Sequence, residues 1–197
     1  MSFFDTSFEG KLIEAVKMDF FDLLNKVENE NIYAISLVVD SDVSGFFLVF
    51  NTLEFLERKD FVLSQNDNLK EFREFMSPEE IKKMFGDYDG GFKSTKWIPT
   101  EWGYGNNSLE YSKINVINKE LSKVSESLNN GFIFEKKVHG MMISSLLALK
   151  ETLGFDFNEV VFFVSMSDDE RVREIENSSA KILNSESIYD EFINRFS

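Results

Sequence analysis

The 197-residue chain contains no cysteine, which excludes disulfide bridges, thiolate metal sites and thiol nucleophiles together. It has one histidine, His139, so any metal site would have to mix that imidazole with carboxylates, and the bland reading is a partly buried structural side chain. With only two prolines and ten glycines there is no collagen-like repeat and no Pro/Gly/Ser linker marking a second domain. Positive charge is scarce, with 21 Lys and Arg set against 35 Asp and Glu for a net charge of −14. The deficit is spread along the chain, 19 acidic against 11 basic residues before Thr100 and 16 against 10 after it. Such a field repels nucleic acid and anionic lipid and speeds encounter with basic partners. No stretch approaches the roughly 18 apolar residues of a membrane span, and the first ten residues lack a basic and apolar leader pattern. A cytoplasmic protein without membrane or nucleic-acid partners is expected.

What the chain does have is a core. Hydrophobic residues make up 43% of it, including 22 Phe, enough for one domain built around a Phe-rich interior. Leu12, Ile13, Val16, Phe20, Leu23, Leu24 and Val27 repeat at helical spacing behind a Thr6-Ser7-Phe8-Glu9 capping pattern. Ile32 to Val39 is apolar on both faces and reads as a strand in mid-sheet. Asp40 to Ser44 turns the chain into a second strand, Gly45 to Phe50, pairing as a hairpin. Asn51 and Thr52 then offer caps for a short helix, and periodicity around Leu69, Phe72, Phe75 and Met76 suggests another. Ser77-Pro78-Glu79-Glu80 is a helix start that Gly86 ends. Phe92 to Trp97 reads as an edge strand. Ile114, Ile117, Leu121, Val124 and Leu128 follow at clean three-and-four spacing. A wider helix from about Lys136 to Leu153, a third buried strand from Val160 to Met166 and two closing helices complete an α+β fold. Its expected form is a single layer of mostly antiparallel sheet covered by several helices, over residues 1–197 as one domain.

Chemistry-bearing constellations are thin. No Gly-rich phosphate loop follows a strand, so no nucleotide cofactor is expected. Asp87-Tyr88-Asp89-Gly90-Gly91 begins like a calcium loop but places Phe92 where the turning glycine belongs and Ile98 where the closing carboxylate belongs. Carboxylates grouped after buried strands, Asp40 with Asp42 and Asp168 with Asp169 and Glu170, are the remaining acid-base candidates, although turn and cap chemistry also accounts for them. Both tryptophans and a tyrosine gather in one loop, Lys96-Trp97-Ile98-Pro99-Thr100-Glu101-Trp102-Gly103-Tyr104. There they either wedge that loop onto the core, the favoured reading, or anchor an interface.

Taken together, the Ile32 to Leu37 run with Asp40 and Asp42, Asn51-Thr52, the W-x-P-x-E-W-x-Y element of Trp97, Pro99, Glu101, Trp102 and Tyr104, the helix after Met141, and Phe162 to Asp168 resemble a bacterial family known as domain of unknown function four-three-zero-three. The resemblance implies one fold along nearly the whole chain and carries over no activity or catalytic residue. Small acidic members of such families look like immunity proteins, an analogy that supplies the working expectation. On that expectation the chain is not an enzyme. It binds a cognate toxin with a basic active-site surface through Asp40, Asp42, Asp87, Asp89, Trp97, Glu101, Trp102, Tyr104, Asp168, Asp169 and Glu170. The alternatives are a carboxylate enzyme using Asp40, Asp42 and Asp168, and a general adaptor.

Overall fold

A computed structural model describes residues 7–27, 29–65, 69–86, 92–126 and 131–196. The elements run α1 Phe8–Leu24, β1 Ile32–Val39, β2 Phe46–Thr52, α2 Leu53–Ser64, α3 Lys70–Phe75, α4 Pro78–Phe85, β3 Tyr104–Gly105, α5 Lys113–Glu126, α6 Gly131–Leu153, β4 Val161–Met166, α7 Val172–Leu183 and α8 Glu186–Ile193. The α+β class holds. The strand order is β3-β2-β1-β4, and the sheet is mixed rather than purely antiparallel. β1 pairs antiparallel with β2 and β2 with β3, whereas β4 lies parallel to β1 from Ala34 opposite Val161 to Val39 opposite Met166. A parallel neighbour demands a long crossover. Here the whole chain from β2 to α6 supplies it, a connection that hydrophobic runs alone do not reveal.

Central β1 is buried on both faces, as a run in which nearly every residue is apolar requires. On one face Ile35, Leu37, Val39, Phe46, Leu48, Phe50, Phe162, Val164 and Met166 meet the apolar stripes of α1, α5 and α6. On the other, Ala34 and Phe163 meet Ala180 of α7, Phe192 of α8 and Trp102. The segment read as an edge strand, Phe92 to Trp97, is not one. The Thr95 N–H and hydroxyl both donate to Asp60, at 3.1 and 3.0 Å, and the Ile98 N–H bonds back to Thr95, so this backbone is spent on turns. The place beside β2 falls to Tyr104 and Gly105 instead.

Capping follows the sequence closely at two helices. Thr52 accepts the Phe55 N–H at 3.1 Å, and Ser77 with Glu80 closes a reciprocal capping box. The helix after Thr52 runs on to Ser64, two turns beyond the short one expected. The α5 N-terminus is capped from a distance. Asp19, fully buried in the middle of α1, accepts from the Ser112 hydroxyl at 2.6 Å, the Lys113 N–H at 2.7 Å and the Ile114 N–H at 3.0 Å. Among the described residues no helix is long and apolar enough to cross a membrane.

Asp19→Ala strands two buried donors and one part-buried donor, and we expect a loss of about 3 kcal/mol in urea unfolding, with Asp19→Asn recovering part because one acceptor oxygen remains. An Asp19→Ala midpoint within error of wild type would show that the cap is dispensable.

Candidate functional site

The second face of the sheet is crossed by a strap, residues 94–104, held at both ends by two side chains of the strands. The Tyr33 hydroxyl donates to the Lys96 carbonyl at 2.7 Å, and Trp102 Nε1 donates to the same oxygen at 3.1 Å. Asn51, fully buried, donates to the Tyr33 oxygen and accepts the Gly103 N–H at 3.2 Å. Burial pushes the Tyr33 phenol well above its ordinary range, keeping it a neutral donor. Trp102 lies edge-on to Phe163 at 5.7 Å, and Trp97 edge-on to Phe192 at 5.3 Å and to Tyr33 at 5.8 Å. Tyr104 stacks on Phe50 at 5.1 Å and donates to Glu30 at 2.7 Å. Burial acts to raise the Glu30 carboxyl, but bonds from Thr52, Tyr104 and Arg58 outweigh it and leave it below its usual value. Gly103 is required by close approach, since a Cβ there would lie 2.6 Å from the Phe55 ring.

Between the strap and the β4–α7 turn lie two adjoining grooves of about 540 and 510 Å³ that share Val38, Pro99, Thr100, Ser167 and Asp168. They open just beyond the C-terminal ends of the parallel pair β1 and β4, where loops of α/β architectures commonly form a crevice. Val38, Val49 and Trp102 give the floor its apolar character. The Ser167 N–H extends the ladder to Val39 at 2.9 Å, and the chain then turns through Asp168 in the left-handed conformation, φ 56°. Asp169 is clamped by Arg171 at 2.7 Å, and Arg171 also grips Glu135 of α6 at 3.0 Å. Bonds from Arg171 hold the Asp169 carboxyl below its ordinary value. Asp168 and Glu170, on either side of it, are exposed and form no ion pair among the described residues.

A buried ion pair underlies the same groove. Glu176 of α7 is 5% exposed, accepts the Ser165 hydroxyl at 2.7 Å and pairs with Arg195 at 2.7 Å. The guanidinium carbon lies 3.8 Å from the centroid of the Phe192 ring and 4.9 Å from that of Phe196. Burial raises the Glu176 carboxyl and lowers Arg195, so desolvation exceeds their attraction on both sides of the pair.

The structure therefore brings Asp168, Asp169, Glu170, Trp97 and Trp102 around one pair of grooves. Trp102 contributes as buried floor, 8% exposed. Glu101 turns toward α2 and pairs with Lys59 at 2.7 Å, while Tyr104 turns to Glu30. Asp40 closes the β1–β2 turn, one oxygen taking the Ser44 N–H at 2.6 Å and the other its hydroxyl at 2.7 Å. Asp42, at the tip of that turn, is exposed. Asp87 and Asp89 lie outside the described residues. Val38, Thr100, Ser165, Glu176 and Arg195 also belong to the site, although none of them stands among the site residues expected from the sequence. Glu176 alone had a visible signal, because it occupies the buried stripe with Ser179, Ala180 and Leu183 at helical spacing, where a carboxylate must find a partner. Among the described residues no group of three or more His, Asp or Glu side chains is placed to hold a metal ion.

The family model described as Domain of unknown function (DUF4303) matches residues 12–185, which includes the strap and both walls of the grooves. The chain belongs to that family. Comparison with curated proteins and with solved structures gives no match. The matched span ends before α8, so Phe192 and Arg195, which complete the second face of this DUF4303 chain, lie beyond it.

Two outcomes follow from this geometry. Gly103→Ala must displace the Phe55 ring from the strap, and a loss of about 1–3 kcal/mol is expected by thermal or urea unfolding; unchanged stability would show that Phe55 moves freely. The folded chain holds the Glu176 proton to higher pH than the unfolded chain, whose value is the ordinary 4.5. The stability Glu176 contributes is thus full below 4.5 and declines as pH rises through the raised folded value. Wild type should lose stability relative to Glu176→Gln between pH 4.5 and 7, and a difference that stays flat or grows would contradict the sign. Burial lowers His139, whose opposite slope below 6.5 is common to both proteins and cancels.

Proposed function

We propose that this chain is an immunity-type binding protein that occludes a basic functional surface of a protein toxin. The observation that carries the reading is the rim of the second-face groove. Asp168 and Glu170 stand exposed beside an apolar floor without an ion pair, while Asp169 between them is neutralised by Arg171. Unpaired carboxylates flanking an apolar cleft suit a partner that presents Lys or Arg around an apolar anchor. The net charge of −14 adds long-range attraction for such a surface, which raises the association rate and makes it fall with salt. The bonds that hold the strap through Tyr33, Asn51 and Trp102 support the same reading, since a groove wall already held in place lowers the entropic cost of association.

Co-expression with the proteins encoded by neighbouring genes, followed by affinity capture and a growth-protection assay, tests the proposal. A captured partner should bind Asp168→Lys/Glu170→Lys at least about tenfold more weakly, chiefly through slower association at low salt. Capture of nothing together with absence of protection would refute it, as would a partner indifferent to both substitutions.

A further inference from the structure

Helix α2 is anchored to the body by the ring of Phe55, which lies against Tyr104 and Gly103 of the strap, and otherwise by polar contacts. Thr52 caps it, Glu54 accepts the Asn31 N–H at 2.8 Å, Arg58 pairs with Glu30 at 2.8 Å and Lys59 pairs with Glu101 at 2.7 Å. None of its residues is buried. A helix carrying Leu53, Leu56, Phe61 and Val62 would normally hide such a set, and helices in water draw most of their stability from doing so. In this chain Leu53 remains 48% and Phe61 68% exposed.

These residues are not scattered. Leu53, Leu56, Glu57, Asp60 and Phe61 occupy neighbouring positions on consecutive turns and line one groove of about 680 Å³, with Phe92 on its rim. The charges of the helix are sorted across it. Both cations, Arg58 and Lys59, are spent on Glu30 and Glu101, whereas Glu54, Glu57 and Asp60 all line the groove and none is matched by a cation. Asp60 is tied by the neutral hydroxyls of Ser94 and Thr95, which leave its charge in place.

We infer that the α2 groove is a docking site for a basic amphipathic segment of another protein, apolar along one stripe and bearing Lys or Arg beside it. Charge complementarity selects this occupant. A second copy of the chain would bring another −14 against three uncompensated carboxylates, and an acidic or neutral segment would leave them desolvated and unpaired. An apolar stripe laid into a groove with flanking opposite charge is the recurring geometry of helix-in-groove recognition. The inference does not rest on the toxin reading and concerns a different surface from the Asp168 groove.

The test uses the full chain and a fluorescent synthetic helix composed only of leucine and lysine at amphipathic spacing, titrated by anisotropy at two salt concentrations. One-to-one binding is expected. Leu53→Ser/Phe61→Ser should weaken it at least about tenfold and Glu57→Lys at least about threefold. Val116→Ser/Ile182→Ser, which changes exposed apolar residues of α5 and α7, should alter it less than about twofold. All four side chains in the two double variants are solvent-exposed, and circular dichroism checks that both proteins remain folded. Absence of binding, more than one peptide per chain, or equal weakening in both double variants would overturn the assignment. So would loss of binding in Asp168→Lys/Glu170→Lys with the α2 variants unaffected, because the acceptor would then be the other groove.

Discussion

A sheet buried on both faces must still satisfy the outward N–H and C=O groups of its edge strands, and in this chain side chains do so. β4 has one neighbour, so its other edge is closed by Asn184, which accepts the Phe162 N–H at 2.9 Å and donates to the Phe162 carbonyl at 2.7 Å, and by Ser179, which accepts the Val164 N–H at 2.9 Å. β2 has a partner strand only two residues long. Beyond it Asn118 brackets Phe46, and Asn106 accepts the Leu48 N–H. Unpaired buried backbone groups would each cost about 1–3 kcal/mol. Open edges also invite pairing with other chains. These side chains fix α5 on one face and α7 on the other against particular residues of the sheet, and α7 is a wall of one groove.

The strap follows the same logic with aromatic side chains. Lys96 presents one carbonyl to two donors, the Tyr33 phenol and the Trp102 indole, and Asn51 joins Tyr33 to the Gly103 backbone. Each aromatic ring of the W-x-P-x-E-W-x-Y element is therefore committed to the interior or to its margin. Its role is to wedge a backbone against the sheet, which keeps Pro99 and Thr100 fixed above Val38. The two surfaces proposed for recognition lie around this wedge: Asp168 and Glu170 on one side, the α2 groove on the other.

Charge behaves in the same selective way. Thirty-five carboxylates make the chain acidic, but their roles differ by neighbour. Asp19 caps a helix more than 90 residues away, Glu176 is locked to Arg195, and Glu30 gathers bonds from Thr52, Tyr104 and Arg58. Among the described residues Glu57, Asp168 and Glu170 have no ionic partner, and the two proposed docking surfaces rest on that difference. Net charge thus describes the chain as a whole, and local pairing determines which carboxylates stay unmatched.

Local pattern was sufficient for much of the fold. The nearly continuous apolar run of β1, the three-and-four spacing of α5 and the Ser77 capping box were legible because each records burial or hydrogen bonding within a few residues. The chain alone also determined the family, the acidity and the absence of thiol chemistry. Tertiary structure decided the rest: that β4 runs parallel to β1, that Tyr104 rather than Phe92 to Trp97 reaches the sheet, and that Asp40 is absorbed by Ser44 while Asp168 is not. The physical reason is range. Periodicity reports which face of an element is hidden, but the direction of a neighbouring strand and the counter-charge of a carboxylate depend on residues tens of positions away, brought close only when the core closes.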